Sequence, residues 1–182
     1  MKVIVTKKTS PDDLIKAMEY TSNRVITGDT NKRVKKMYAE QHSPSRTQIY
    51  MIELKDIPTF VSVHLSRHKI GVEHYIQSMR QDRQGVTVTA DRNTLINHMM
   101  YLNAEALINL SYKRLCSNAS KETREVIEKI ALELRRQNDP LSDYLMPLCW
   151  YRNGLCSRKC VRGFALGDYK TYVDYLKDKN NV

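Results

Sequence analysis

Between His64 and Arg83 the chain carries three arginines, a lysine and three histidines, interleaved with Leu65, Ile70, Val72, Ile76 and Met79. Such a stretch can be neither wholly buried nor wholly solvated. Its apolar residues tie it to a core and its cations must line the surface beside that core. If residues 70–78 are extended, Val72, His74, Ile76 and Ser78 share one face and Glu73, Tyr75 and Gln77 the other. Guanidinium forks match phosphate oxygens two at a time, so an anion-binding surface is one reading. A solvated basic face is the other.

The overall charge points the same way. Thirty Lys and Arg against twenty Asp and Glu give +10 over 182 residues. That surplus favours polyanions or phosphorylated small molecules and does not choose between them. The length suits a single domain with a proper core. The opening residues hold no long apolar run and no segment approaches a membrane span, so a soluble cytoplasmic protein is expected. In that compartment Cys116, Cys149, Cys156 and Cys160 read as thiols or metal ligands rather than disulfides.

Local signals then divide the chain. Residues 2–6 read as a strand. Ser10, Pro11, Asp12 and Asp13 form a helix start, with Ser as cap, Pro in the first turn and acids against the helix dipole. That helix runs to about residue 21, and a second, basic helix covers 31–40. A polar loop at 41–45 leads to a strand over 47–54, rich in β-formers. Asp56, Ile57 and Pro58 open a helix that delivers Arg67 and His68 at its end. Residues 80–91 read as a mobile loop around a short strand at Val86 to Val88. A long helix is expected over 92–116, with Leu95, Met99, Leu102, Ala106, Leu110 and Tyr112 along a buried stripe. Ser120 caps the next helix, which stops before Asn138, Asp139 and Pro140. The remainder, 141–182, is an irregular Cys-containing extension with an amphipathic stretch from Asp168 to Leu176. Helix and strand are mixed without regular alternation, so the class is α+β.

Several of these residues have two readings. Arg114 on a helix is a salt-bridge residue or a ligand contact. Asn103 and Asn109 are locally unfavourable within a helix, which suits either a role or a kink. His42, His64, His68 and His74 are hydrogen-bonded structural residues or site residues. Glu73 is best read as the partner of an arginine. Cys116, Cys149, Cys156 and Cys160 form either a tetrahedral thiolate zinc site or a set of reduced thiols.

The order of these elements resembles the flavin-dependent thymidylate synthases, the ThyX family. The family signature begins Arg-His-Arg and ends Ser-x-Arg; here Arg67, His68 and Lys69 lead to Ser78, Met79 and Arg80. His64 stands where the family has a glutamine. Asn103, Ala104 and Glu105, then Asn109 and Arg114, are similar to the family's Asn-Ala-Arg helix. Glu122, Thr123 and Arg124 resemble its Glu-Ile-Arg, and His42, Ser43 and Pro44 its upstream histidine and hydroxyl. The likeness spans roughly residues 42–135. The signature is one residue longer here, Lys69 replaces an arginine, and Glu105 puts an acid where the family's Asn-Ala-Arg has its arginine, a flavin contact.

The resemblance implies a ThyX-like fold, a central mostly antiparallel sheet packed with helices. It implies FAD-dependent transfer of a methyl group to dUMP, making dTMP, with methylenetetrahydrofolate and NADPH as cosubstrates. A homotetramer with sites between subunits would follow. Arg67 and Arg114 would be catalytic. His64, Arg67, Ser78, Arg80 and Arg114 would hold the nucleotide, and His42, Ser43, Arg67, His68, Lys69, Asn103 and Asn109 the flavin. Two alternatives remain. One is a modified one-carbon transfer to another pyrimidine nucleotide. The other is a basic nucleic-acid-binding or catalytically silent oligomeric protein of the same fold.

Overall fold

The computed structural model describes residues 1–84, 91–156 and 169–180. Its centre is a four-stranded antiparallel sheet, ordered β1 (Lys2–Lys7), β2 (Ile49–Pro58), β4 (Leu95–Asn103) and β3 (Val72–Ile76). On β2, Tyr50, Ile52 and Leu54 alternate into the core, and on β4 so do Ile96, His98, Met100 and Leu102. Two residues of β2 then break the alternation. The register shifts between Leu54 and Ile57, and Asp56 adopts a positive φ of 54°. This bulge turns Ile57 inward where a regular strand would bury Asp56.

Helix α1 (Pro11–Ser22) begins at the cap read from the sequence, and α2 (Thr30–Glu40) at one that was not read there. Ser10 and Asp13 form a reciprocal capping box, and Asp29 accepts from the amides of Asn31 and Lys32. A 3₁₀ turn, Ser43–Thr47, leads into β2. Helix α3 (Thr59–Ser66) follows β2, and a short helix α4 (Gln81–Gln84) follows β3. Helix α5 (Ala104–Arg114) follows β4, and α6 (Lys121–Arg136) packs against β1, α3 and α5. Ser120 caps α6 through the amide of Thr123, and Val126, Ile127, Ile130, Ala131 and Leu134 form its buried stripe. After a 3₁₀ turn, Pro140–Tyr144, come α7 (Leu148–Tyr151) and α8 (Tyr172–Asn180), the latter against α6.

The α+β class and the antiparallel sheet stand as expected. The long helix over 92–116 does not form. Its first half is β4 and its second half α5. Leucine and methionine favour helix locally, and His98 at a core position hides the two-residue alternation. Pairing with β2 on one side and β3 on the other overrides that local preference. Asp56 to Pro58 end a strand, and the expected helix opens right after them at Thr59, with Pro58 before its first turn and Arg67 at its end. Asn103 is no mid-helix residue: its Oδ1 caps α5, accepting from the Ala106 amide at 2.9 Å. The expected strand at Val86 to Val88 lies outside the described residues, as do Cys160 and Asp168.

A polar cluster pins the helical layer to the sheet. Tyr38 donates to Tyr50, and Tyr50 donates to Asp139 at 3.0 Å. Asp139 also pairs with Lys7 at 3.2 Å and caps the following turn through the Leu141 amide. Burial pushes both phenols well above their ordinary values, so they remain donors.

Candidate functional site

The turn between α3 and β3 places Arg67, His68, Lys69, Ile70 and Gly71 beside the first turns of α5. Gly71 makes that approach possible. Its φ is +71°, and a Cβ there would stand 2.6 Å from the side-chain Nδ2 of Asn103. The Gly71 carbonyl also accepts from the Asn103 backbone amide at 3.2 Å. A cleft of about 1060 Å³ opens here, comparable with the largest ordinary ligand sites. Arg67, His68, Lys69, Asn103 and Asn109 line it together with Gln41, Arg46, Glu105, Tyr112, Lys113, Tyr151 and Arg152.

His68 is the fixed point of the cleft. Arg114 donates from Nε to His68 Nε2 at 2.9 Å and from Nη2 to the His64 carbonyl at 2.5 Å. Burial, the Arg114 charge, then His74 and Lys113 push the His68 imidazole down to about 4. It is therefore neutral near pH 7, with its proton on Nδ1 because Nε2 accepts. The Arg114 guanidinium is itself held below its ordinary value by burial and by the charge of Arg67. Two arginines from separate elements thus lie close together with no carboxylate between them among the described residues. Such a pair favours an anion.

A hydrogen-bonded chain supports the back of this turn. Ser62 Oγ meets His98 Nδ1 at 3.0 Å, His98 Nε2 meets His74 Nδ1 at 3.0 Å, and His74 Nε2 meets the His68 carbonyl at 2.7 Å. A carbonyl only accepts, so His74 Nε2 carries a proton. In the uncharged chain His98 then donates to His74, and Ser62 donates to His98. Burial and the neighbouring His74 push His98 down to about 4. The three residues hold the carbonyl of the residue whose ring faces the cleft. His64, on the other side, bonds Thr123 Oγ1 through Nδ1 at 3.0 Å, and burial with the charges of Arg114, Arg67 and Arg92 lowers it.

The remaining expected residues lie elsewhere. His42 and Ser43 are exposed and do not line the cleft, and His42 meets Glu40 at 2.9 Å. Ser78 and Arg80 follow β3; Arg80 is exposed and grips Asp82 through two bonds, of 3.0 and 2.6 Å. Within one chain the signature therefore divides, Arg67 and His68 at the cleft and Arg80 away from it. Glu73 is exposed on β3 and pairs with no arginine among the described residues.

Of the lining residues, Arg46 and Lys113 were not singled out from the sequence, while Glu105 was read only as a departure from the family run. Arg46 and Glu105 form an ion pair, Arg46 donating to both carboxylate oxygens. The Asn-Ala-Glu run at Asn103, a cap followed by an acid in the first turn, was the local signal for that helix start. Nothing local announced Tyr151, whose ring meets at 5.0 Å that of Tyr112, a residue expected only as part of a buried stripe.

The metal reading finds no support in the geometry. Cys116, Cys149 and Cys156 are free thiols, and no group of three or more metal-ligating side chains forms among the described residues. Burial, with Cys116 and Cys156 nearby, pushes the Cys149 thiol up, and Cys160, the fourth expected ligand, lies outside the described residues. Among the described residues no helix is long and apolar enough to cross a membrane.

No protein-family model matches this chain, and no curated protein sequence matches it. Solved structures do match its fold. A flavin-dependent thymidylate synthase ThyX from Helicobacter pylori, complexed with FAD and dUMP, aligns over 80% of this chain and 100% of its own, at 15% identity and TM-score 0.63. A second structure of ThyX from that organism with FAD and dUMP aligns over 79% and 98%, at 16% identity and TM-score 0.64. A UMP/dUMP methylase, PolB, from Streptomyces cacaoi bound with 5-Br dUMP aligns over 80% and 96%, at 12% identity and TM-score 0.59. The chain has a ThyX-like fold.

Proposed function

We propose that this chain is a divergent flavin-dependent methyltransferase that binds FAD in the cleft and methylates dUMP to dTMP. The observation that carries the reading is the cleft at the Arg67–His68 turn. There Arg67, Lys69, Lys113 and Arg152 face a common space in a fold shared with proteins complexed with FAD and dUMP. The residues fit a dinucleotide. None of these four cations pairs with a carboxylate among the described residues, and two tyrosines supply a ring wall.

In this reading Arg67, Lys69, Asn103 and Asn109 hold the flavin, and neutral His68 offers Nδ1–H as a fixed donor. Arg114 keeps the His68 ring in that tautomer and adds positive potential behind it, which stabilises negative charge developing on a pyrimidine carbonyl. Bound reduced flavin supplies hydride. Methylenetetrahydrofolate is the one-carbon donor and NADPH the reductant. Ser78 and Arg80 stand apart from the cleft of their own chain. Their nucleotide role therefore requires a second copy, and we assign a homo-oligomer, a tetramer, with residues 141–182 as an extension of one domain.

Purified protein is expected to be yellow, or to take up added FAD with a shifted flavin absorbance. With methylenetetrahydrofolate and NADPH it is expected to convert dUMP to dTMP. Colourless protein that ignores added FAD, and binds DNA with a steep salt dependence instead, would replace this reading by the nucleic-acid one.

A further inference from the structure

One wall of the cleft comes from α7 and the residue after it, beyond the segment 42–135 that carries the family resemblance. Leu148, Tyr151 and Arg152 line the cleft there. Tyr151 is a large aromatic residue left 49% exposed. One side of its ring rests on Tyr112 at 5.0 Å and 34°. Tyr112 is buried, and its hydroxyl accepts from Gln41 Nε2 at 2.9 Å. The platform is thus backed on one side and open on the other.

It is also anchored from behind. Trp150, next in sequence, is buried against Tyr172 and Tyr175 of α8 at 5.3 and 5.8 Å. The Arg152 amide closes the short helix onto the Leu148 carbonyl at 3.0 Å, and the Gly154 amide reaches Cys149 at 2.7 Å. Beside the platform, Arg152 and Lys113 are exposed cations that line the same cleft. A fixed aromatic face next to unpaired cations recognises a planar heterocycle joined to phosphates, because stacking takes the ring and charge takes the oxygens.

We propose that Tyr151 and Arg152 form the subsite for the adenosine diphosphate end of a dinucleotide. The base stacks on Tyr151, and Arg152 with Lys113 takes the pyrophosphate. This rests on the dinucleotide reading of the cleft, and it assigns a ligand contact to the C-terminal part of the chain.

Titration of FAD, FMN and ADP into the full chain and into Tyr151→Ala, Tyr151→Phe and Arg152→Gln tests it. Tyr151→Ala is expected to weaken FAD and ADP about tenfold or more, the range for losing one base stack. It leaves FMN, which lacks the adenosine, unchanged, and Tyr151→Phe keeps the affinity. Arg152→Gln weakens FAD and ADP several-fold and flattens their salt dependence. This exposed change carries the test should Tyr151→Ala fail to fold. FAD bound equally well by all variants overturns the subsite and leaves the flavin reading intact, as does an equal loss of FMN and FAD. ADP bound through Tyr151 without any flavin binding upholds the subsite and removes the flavin reading. A parent chain that binds none of the three ligands removes both.

Discussion

Arg114 Nε donates to His68 Nε2 at 2.9 Å, joining positions 46 apart in the chain. The bond fixes the ring's tautomer, and the arginine's charge helps keep the ring neutral. Arg114→Lys cannot span both the ring and the His64 carbonyl that Arg114 now holds. It is expected to weaken FAD uptake by about tenfold, the order of losing one charge-assisted bond. Unchanged uptake in absorbance titration would separate His68 from the ligand.

Stability should fall in mildly acid solution. His68 and His98 both titrate at about 4 when folded, against 6.5 when free. Above pH 6.5 neither state is protonated and stability is full. Between 6.5 and 4 the unfolded chain takes up protons that the folded one refuses, so stability drops; below 4 the loss levels off. His98 is 1% exposed, and its share is roughly 3 kcal/mol. The half-buried His68 gives less, because solvent screens it. Urea midpoints measured across that window check the slope. In His98→Phe the slope should shrink and stability at neutral pH should drop by about 1–3 kcal/mol, since Ser62 and His74 lose a partner. A midpoint constant from pH 7 to pH 4 would refute the neutral assignment.

Gly71→Ala should be destabilising out of proportion to one methyl. The left-handed backbone costs about 1 kcal/mol, and the new Cβ displaces the Asn103 side chain that caps α5, about 1 kcal/mol more. Chemical denaturation should show roughly 2 kcal/mol in all. A variant as stable as the parent would mean that the turn relaxes freely.

Glu105→Gln acts in the opposite sense on binding. The carboxylate occupies Arg46 and is the one acid in the cleft lining among the described residues. Neutralising it frees the guanidinium and removes like-charge repulsion. Affinity for an anionic ligand such as ADP should rise by about three- to tenfold, with little change in melting temperature. A lower affinity would show that Glu105 contacts the ligand directly.

Asp139 is the buried acceptor for Tyr50 and the partner of Lys7. Asp139→Ala leaves a phenol and an ammonium without their acceptor and removes the cap at Leu141. The expected loss is about 3–5 kcal/mol, a large part of a domain's stability, read as a fall in melting temperature. A fall of only a few degrees would mean that water replaces the carboxylate.

Local residues decided the starts of α1 and α6. Ser10 with Pro11 and Asp13, and Ser120 before the stripe ending at Leu134, are local devices whose partners lie within four residues or one helix face. The same holds for placing Arg67, His68 and Lys69 at the surface, since charge and apolar spacing permit little else. Residues 95–103 show where local reading stops. Leucine and methionine there favour a helix, and only β2 and β3, brought up from distant segments, supply the hydrogen bonds that make a strand. The site follows the same division. Asn103, Asn109 and His68 were legible as residues, but their meeting depends on Gly71 passing close to Asn103, and the Tyr112–Tyr151 platform on a loop folding back. Conformational preference reaches a few residues along a chain; contacts between distant segments are chosen only when packing makes one arrangement of the whole lower in free energy.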